Sequence, residues 1–185
     1  MTVELIVPAQ AGRQRLVLRA WAARDAEALA AAHRDTGMRR WLMTTLDGTE
    51  AAERWIEQQA RLWEGGLRYS FAVLDQDGTR PVGHVAVKRK AAGAVSAEIG
   101  YWTAAAVRGQ GIAPRAVDAV TRWALGGGTG RPALTRLELL HAVGNAASCR
   151  VAVKSGFPLR EELAPHPPKF PEAGHVHVRE PDGDA

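Results

Sequence analysis

The residues with the best claim to chemistry are Arg108-Gly109-Gln110-Gly111-Ile112-Ala113. They follow an apolar run that reads as a strand and open a run that reads as a helix. Such a junction points successive backbone N–H groups at one spot, with the positive end of the helix behind them. Gly109 and Gly111 allow a ligand to approach the backbone, and Ala113 keeps that approach narrow. A diphosphate is the natural guest. The competing reading is a tight strand-to-helix turn with nothing bound. A second glycine-rich stretch, Gly126–Gly130, is more conspicuous but follows a helix and precedes a strand. It lacks a Gly-Lys-Ser/Thr ending and dinucleotide spacing, so it reads as a helix-terminating loop.

The elements around that loop can be read from periodicity. Leu16–Leu18 begins a strand, and a helix runs from Asp25 to about Asp35. Gly37 and Met38–Thr45 interrupt it. A second helix starts at Asp47 or Thr49, carries Ala52, Trp55, Ile56, Ala60 and Trp63 on one face, and stops at Gly65-Gly66. Tyr69–Leu74, Pro81–Lys88 and Ser96–Trp102 form an antiparallel meander, with Asp77-Gly78 marking its first turn. The helix after the glycine loop has Ile112, Ala116, Val120 and Trp123 inward and Arg115, Asp118 and Arg122 outward. Leu134–Leu140 is a strand. Asn145–Lys154 is a short helix closed by Gly156. Leu159–Leu163 and His175–Arg179 form a last strand pair around the proline-rich segment 165–171. The order β α α β β β α β α β β indicates a mixed α/β (α+β) fold. One domain over 1–185 is expected, with 1–13 and 180–185 loose.

Composition removes several classes. The chain has 185 residues, 24 Lys and Arg against 20 Asp and Glu, and a net charge of +4. That excess is thin and dispersed, so no nucleic-acid surface is expected. The only cysteine is Cys149, which excludes an internal disulfide and a cysteine-rich zinc fold. The start of the sequence lacks a basic segment and an apolar stretch of signal-peptide type, and no apolar run approaches a membrane span. A cytoplasmic protein is expected, with no membrane partner. His175 and His177 lie two apart on a late strand. With His166 they could hold a metal, but they read as solvated side chains, and no metal is expected.

Further residues complete a pattern. Arg108-x-x-Gly111-x-Ala113, the preceding Glu98-Ile99-Gly100-Tyr101-Trp102, the helix start Asn145-Ala-Ala-Ser148, and Val153-Lys154-Ser155-Gly156-Phe157 together resemble the GNAT N-acetyltransferase family. The combination is most similar to the branch of RimJ/RimL-type ribosomal-protein N-terminal acetyltransferases. The likeness extends over about residues 14–180. It implies a mixed, mostly antiparallel twisted sheet of about seven strands flanked by about four helices. It also implies a parallel strand pair, 96–102 and 134–140, that splays to admit acetyl-CoA.

On this resemblance Tyr101, Trp102 and Thr103 offer main-chain partners to pantetheine. Arg108, Gly109, Gln110, Gly111, Ile112 and Ala113 cradle the diphosphate with amides. Asn145 matches an asparagine that hydrogen-bonds pantetheine, and it equally reads as a helix N-cap. Arg115, Arg150 and Lys154 stand as 3′-phosphate contacts or as solvated surface charges.

The chemistry implied is direct transfer of an acyl group from a thioester to a neutral amine. At pH 7 a lysine amine is neutral about once in 2,500 and an α-amine about once in seven, so a general base helps both. Glu98 reads either as that base or as an ion-paired strand carboxylate. The tyrosine that many family members place seven residues after the asparagine is replaced by Ala152. Ser148 matches the serine that RimL-like members set near the sulfur, with a plain helix-turn hydroxyl as the alternative. Cys149 reads as a small packed residue.

Arg39, Arg40, Trp41 and Met43 fall where this family builds its acceptor pocket, and His84 and His141 flank the site. The implied function is acetyl transfer from acetyl-CoA to a primary amine, either a protein N-terminus or a small molecule. The alternatives are a non-catalytic acyl-CoA-binding domain and transfer of succinyl or another acyl group. A homodimer is compatible with the sequence.

Overall fold

A computed structural model describes residues 3–10, 12–42, 44–128, 130–168 and 170–181. Eight strands form one sheet: β1 (Glu4–Val7), β2 (Leu16–Ala20), β3 (Arg68–Leu74), β4 (Pro81–Arg89), β5 (Ser96–Thr103), β6 (Arg136–Ala142), β7 (Leu159–Leu163) and β8 (Gly174–Arg179). Their spatial order is β1-β2-β3-β4-β5-β6-β8-β7. Every adjacent pair is antiparallel except β5 and β6. The helices are α1 (Ala26–Ala32), α2 (Thr36–Arg39), α3 (Thr49–Glu64), α4 (Ile112–Leu125) and α5 (Ala146–Lys154). Among the described residues no helix is long and apolar enough to cross a membrane.

Both faces of the sheet are covered, because alternate residues of the central strands are apolar in both directions. On one face Leu18, Phe71, Val85, Val87, Ile99 and Leu137 pack beneath Ile112, Ala116, Val120 and Trp123 of α4. On the other, Val17, Ala72, Leu74 and Trp102 meet Leu29, Met38 and Ile56 from α1, α2 and α3. At the start of α1, Asp25 is buried and clamped by Arg19 of β2 in a two-pronged pair of 2.7 and 2.9 Å. Its carboxylate also accepts the Ala22 N–H at 2.9 Å.

Three expectations are corrected. Residues 4–7, expected to be loose with the rest of 1–13, form β1, with Leu5 opposite Leu18 and Val7 in the core. Four residues are too few for periodicity to reveal, and pairing with β2 holds them. The interruption at 37–45 holds most of α2, which Asp35 caps by accepting the Gly37 N–H at 2.9 Å. On α3 the inward position belongs to Gln59 rather than Ala60, because Gln59 Oε1 accepts the Ser70 hydroxyl of β3 at 2.8 Å.

Candidate active site

The site begins where the parallel pair opens. β5 and β6 pair at Ser96–Arg136, Ala97–Leu137 and Glu98–Glu138, and no further. Beyond that point β5 continues against β4 to Thr103, while β6 continues against β8 to Ala142. The far halves of the two strands therefore part, leaving one edge of β5 unpaired. Main-chain groups alternate along a strand. A Cβ on Gly83 would stand 2.9 Å from the Trp102 carbonyl oxygen, so that carbonyl faces β4. Tyr101 and Thr103 consequently turn their main-chain groups to the gap. Trp102, expected to do the same, is the exception, and its indole is buried beside Trp21, His33 and His84.

Past β5, a single 3-10 turn (Ala105–Val107) leads into the glycine loop and then α4. Gly109 and Gly111 adopt φ of +79° and +74°, a left-handed conformation that side-chain-bearing residues rarely take. Among the described residues nothing accepts the N–H groups of Gly109, Gln110 or Gly111. With the unpaired amides of Ile112 and Ala113 at the start of α4 they leave a run of open N–H groups, a nest of the kind that suits an anion.

A cleft of about 450 Å³ lies against this loop, lined by Gly109, Gln110 and Ile112 together with Arg13, Arg80 and Arg115. Arg13 went unremarked in the sequence because it falls in a segment expected to be loose. A Gln10–Arg13 bridge between β1 and β2 brings its guanidinium to within 3.2 Å of where a Gly111 side chain would begin.

Two arginines take structural partners instead. Arg108 donates from Nε to the Thr103 carbonyl at 3.2 Å and ion-pairs with Asp35, tying the loop to the cap of α2. Arg115 donates to the carbonyls of Gln14 at 2.8 Å and Pro8 at 2.7 Å, so it fastens the β1–β2 connection. Burial and the neighbouring Arg13 lower its pKa. Arg150 and Lys154 lie exposed on α5.

Across the gap, Asn145 caps α5, its Oδ1 accepting the Ser148 N–H at 3.2 Å. The cap uses only the carbonyl oxygen of the side chain, which leaves the amide –NH₂ able to donate. Ser148 is buried, and its Oγ accepts the Tyr101 hydroxyl at 3.1 Å. The Tyr101 phenol is pushed above its ordinary pKa by burial, so it remains a donor. Glu98 is half exposed and pairs with Lys88 at 2.7 Å. Three positions apart on β5, Glu98 and Tyr101 project from opposite faces of the sheet. A thioester in the gap would thus have the carboxylate on one side and the two hydroxyls on the other.

The expected acceptor residues do not all converge. His84 is buried in a box formed by Trp21, Trp55 and Trp102, with ring centroids 5.9, 5.6 and 5.9 Å away. Its Nδ1 stands 3.0 Å from both the Trp21 indole nitrogen and the Phe71 carbonyl. The indole can only donate and the carbonyl can only accept, so Nδ1 can make one of these two hydrogen bonds at a time. Burial and nearby cations push the His84 pKa down to about 3, which makes it a neutral core residue rather than a base. Arg40 lies over the Trp41 ring at 4.7 Å, and both are exposed. Trp41 in turn lies against Gly144, just before Asn145, and Glu172 joins it there. Arg39 pairs with Asp47 at 3.1 Å. Met43 lies outside the described residues. His175 and His177, expected to be solvated, are instead covered, and His177 is fully buried. His141 stands beside them on β6, while His166 forms an isolated bridge with Phe170.

The profile of the acetyltransferase (GNAT) domain matches residues 15–158, and the chain belongs to that family. Among solved structures, a candidate ribosomal-protein-serine acetyltransferase from Vibrio cholerae is 26% identical, with a TM-score of 0.76 over 98% of this chain and 100% of that one. RimL, a ribosomal α-N-protein acetyltransferase in complex with coenzyme A, is 22% identical, with a TM-score of 0.78 over 97% and 99%. A microcin self-immunity acetyltransferase, MccE, in complex with acetyl-CoA and AMP, is 18% identical, with a TM-score of 0.74 over 89% and 92%. Comparison with curated protein sequences returned no match.

Proposed function

We propose that this chain is a single acyltransferase domain that moves an acetyl group from acetyl-CoA to a primary amine, with a protein N-terminal α-amine as the first acceptor to test. The observation that carries this reading is the β5–β6 gap. It is bounded by an open amide nest at one end and by Ser148 and Tyr101 on the facing helix and strand. Relatives of this fold solved with coenzyme A or acetyl-CoA support the choice of cosubstrate.

The residues present suit that ligand. The nest and Arg13 meet the diphosphate, with each N–H to a charged oxygen contributing about 1.5–3 kcal/mol. Tyr101 and Thr103 offer main-chain groups to pantetheine, and Asn145 offers its side-chain amide. Acetyl-CoA supplies the activated thioester.

Glu98, held by Lys88, accepts the amine proton directly or through one water. Ser148 has a single hydroxyl proton. Because Oγ accepts from Tyr101, that proton is free to point into the gap and meet the departing sulfur. Ala152 leaves the customary tyrosine position empty of a hydroxyl, and Tyr101 places a phenol against Ser148 from the opposite wall.

A panel of peptide N-termini and small amines, read by thiol release, tests the reading. Acetyl-CoA should raise the melting temperature and at least one acceptor should release thiol. No thermal shift would sink every CoA-based reading. A shift without thiol release from any amine would favour a non-catalytic acyl-CoA-binding domain, and release only with succinyl-CoA would change the acyl group.

A further inference from the structure

We propose that His141, Cys149, His175 and His177 form a tetrahedral binding site for a divalent transition-metal ion of the zinc class. One ligand atom from each of the four falls within a 4.8 Å spread. Three separate elements deliver them. His141 of β6 stands directly opposite His175 of β8. His177, two residues further along, projects from the same face of the sheet. Cys149 comes from α5.

The hydrogen-bond geometry is what points to a cation. His141 Nδ1 lies 2.8 Å from the Ala142 carbonyl, and His177 Nδ1 lies 3.0 Å from the Phe157 carbonyl. A carbonyl oxygen only accepts, so each Nδ1–H is committed to its carbonyl and Nε2 is the atom each ring turns to the cluster. Those two Nε2 atoms face each other at 3.2 Å. Two ring nitrogens so placed need something electropositive between them. Two nitrogens bound to one tetrahedral zinc at roughly 2.0–2.1 Å stand about 3.3 Å apart, which matches.

His175 repeats the arrangement with its other nitrogen. Nε2 meets the Glu162 carboxylate at 3.3 Å, while Nδ1 is buried with no hydrogen-bond partner. All three rings are thus oriented by an outer oxygen, as ligating histidines usually are. The full spread exceeds that of a closed site, so an ion would draw the four groups inward. Binding converts the Cys149 thiol to a thiolate and releases its proton to solvent, with no change of oxidation state. The ion would cross-link β6, β8 and α5, the helix that carries Ser148.

The test uses the full, tag-free chain, stripped of metal and titrated with Co²⁺ alone. One equivalent should produce the near-ultraviolet thiolate charge-transfer band and the visible bands of a tetrahedral ion, displaced by Zn²⁺. The melting temperature should rise with Zn²⁺ and fall with chelator. Cys149→Ser should remove the charge-transfer band, and His141→Ala, which removes a direct ligand, should weaken binding by more than the roughly 10–100-fold typical of losing an outer partner. Both positions are partly exposed, so these variants should melt cooperatively and carry the test even if His177→Ala does not fold. A folded wild type with no thiolate band overturns the proposal, as does wild-type affinity in both variants. A histidine pair bridged only by a proton gives the first of those results. Metal content and melting are read without assaying transfer, so failure here is separable from failure of the acetyltransferase reading.

Discussion

The Tyr101 hydroxyl donates to Ser148 Oγ at 3.1 Å, joining β5 to α5 across the mouth of the gap. The bond orients the serine proton away from the phenol and toward the space where a leaving sulfur would stand. Ser148→Ala should therefore lower turnover on the order of 10²-fold while changing cofactor affinity little. Tyr101→Phe keeps the ring and loses only the donor, so a smaller loss, roughly tenfold, is expected. Steady-state kinetics alongside a binding titration separates the two. Equal activity in Ser148→Ala would remove the serine from the mechanism.

Arg13 should matter for cofactor binding although it lies outside the glycine loop. Arg13→Ala removes one charged donor and should weaken acetyl-CoA binding by about 1.5–3 kcal/mol, roughly 10–150-fold. Gly111→Glu should abolish binding by setting a carboxylate in the nest and straining a φ of +74°. Calorimetric titration at two salt concentrations checks both. Unchanged affinity in Arg13→Ala would return Arg13 to the surface.

The acid limb of stability should carry the mark of His84. Its folded-state pKa is about 3, against about 6.5 when unfolded. Between those values the unfolded chain binds the extra proton, so stability is full above about pH 6.5 and declines as pH falls. The slope from this one group is up to about 1.4 kcal/mol per pH unit. His33, lowered chiefly by burial, acts in the same sense. Denaturant unfolding from pH 7 to 4 should show a shallower decline in His84→Leu than in wild type, whatever the offset at pH 7. Parallel curves would refute the assignment.

Breaking the Arg19–Asp25 clamp should be costly for the helical face. Asp25→Ala leaves a buried guanidinium without its carboxylate, and about 3–5 kcal/mol of stability should be lost. Arg19→Met with Asp25→Leu, which removes both charges, should recover most of it. Chemical denaturation of the single and double variants measures the difference. A single-variant loss below about 1 kcal/mol would show that the clamp contributes little.

The order of elements from β2 onward apart from α2, the glycine loop and the N-cap at Asn145 were legible in the sequence because each depends on neighbours a few residues apart. Short apolar runs around an Asp-Gly turn marked β3, β4 and β5, the 3.6-residue period marked α3 and α4, and the positive φ needed at 109 and 111 announced itself as glycine. The splay of β5 from β6 was inferred only through family likeness, since it depends on where pairing over 96–98 with 136–138 stops.

Other features had no local trace at all. Arg13 reaches the loop because β1 pairs with β2. His84 is silenced because three tryptophans from separate elements enclose it. The histidines of β6 and β8 meet because residue 141 falls opposite 175. By itself the sequence determined the glycine loop, the helix cap and most of the elements that carry them, because backbone preferences and side-chain periods act over one or two turns, while the family resemblance supplied acyl-CoA as the expected guest. Only the tertiary structure decided which of them face one another, because strand register and burial are set by contacts between residues far apart in the chain.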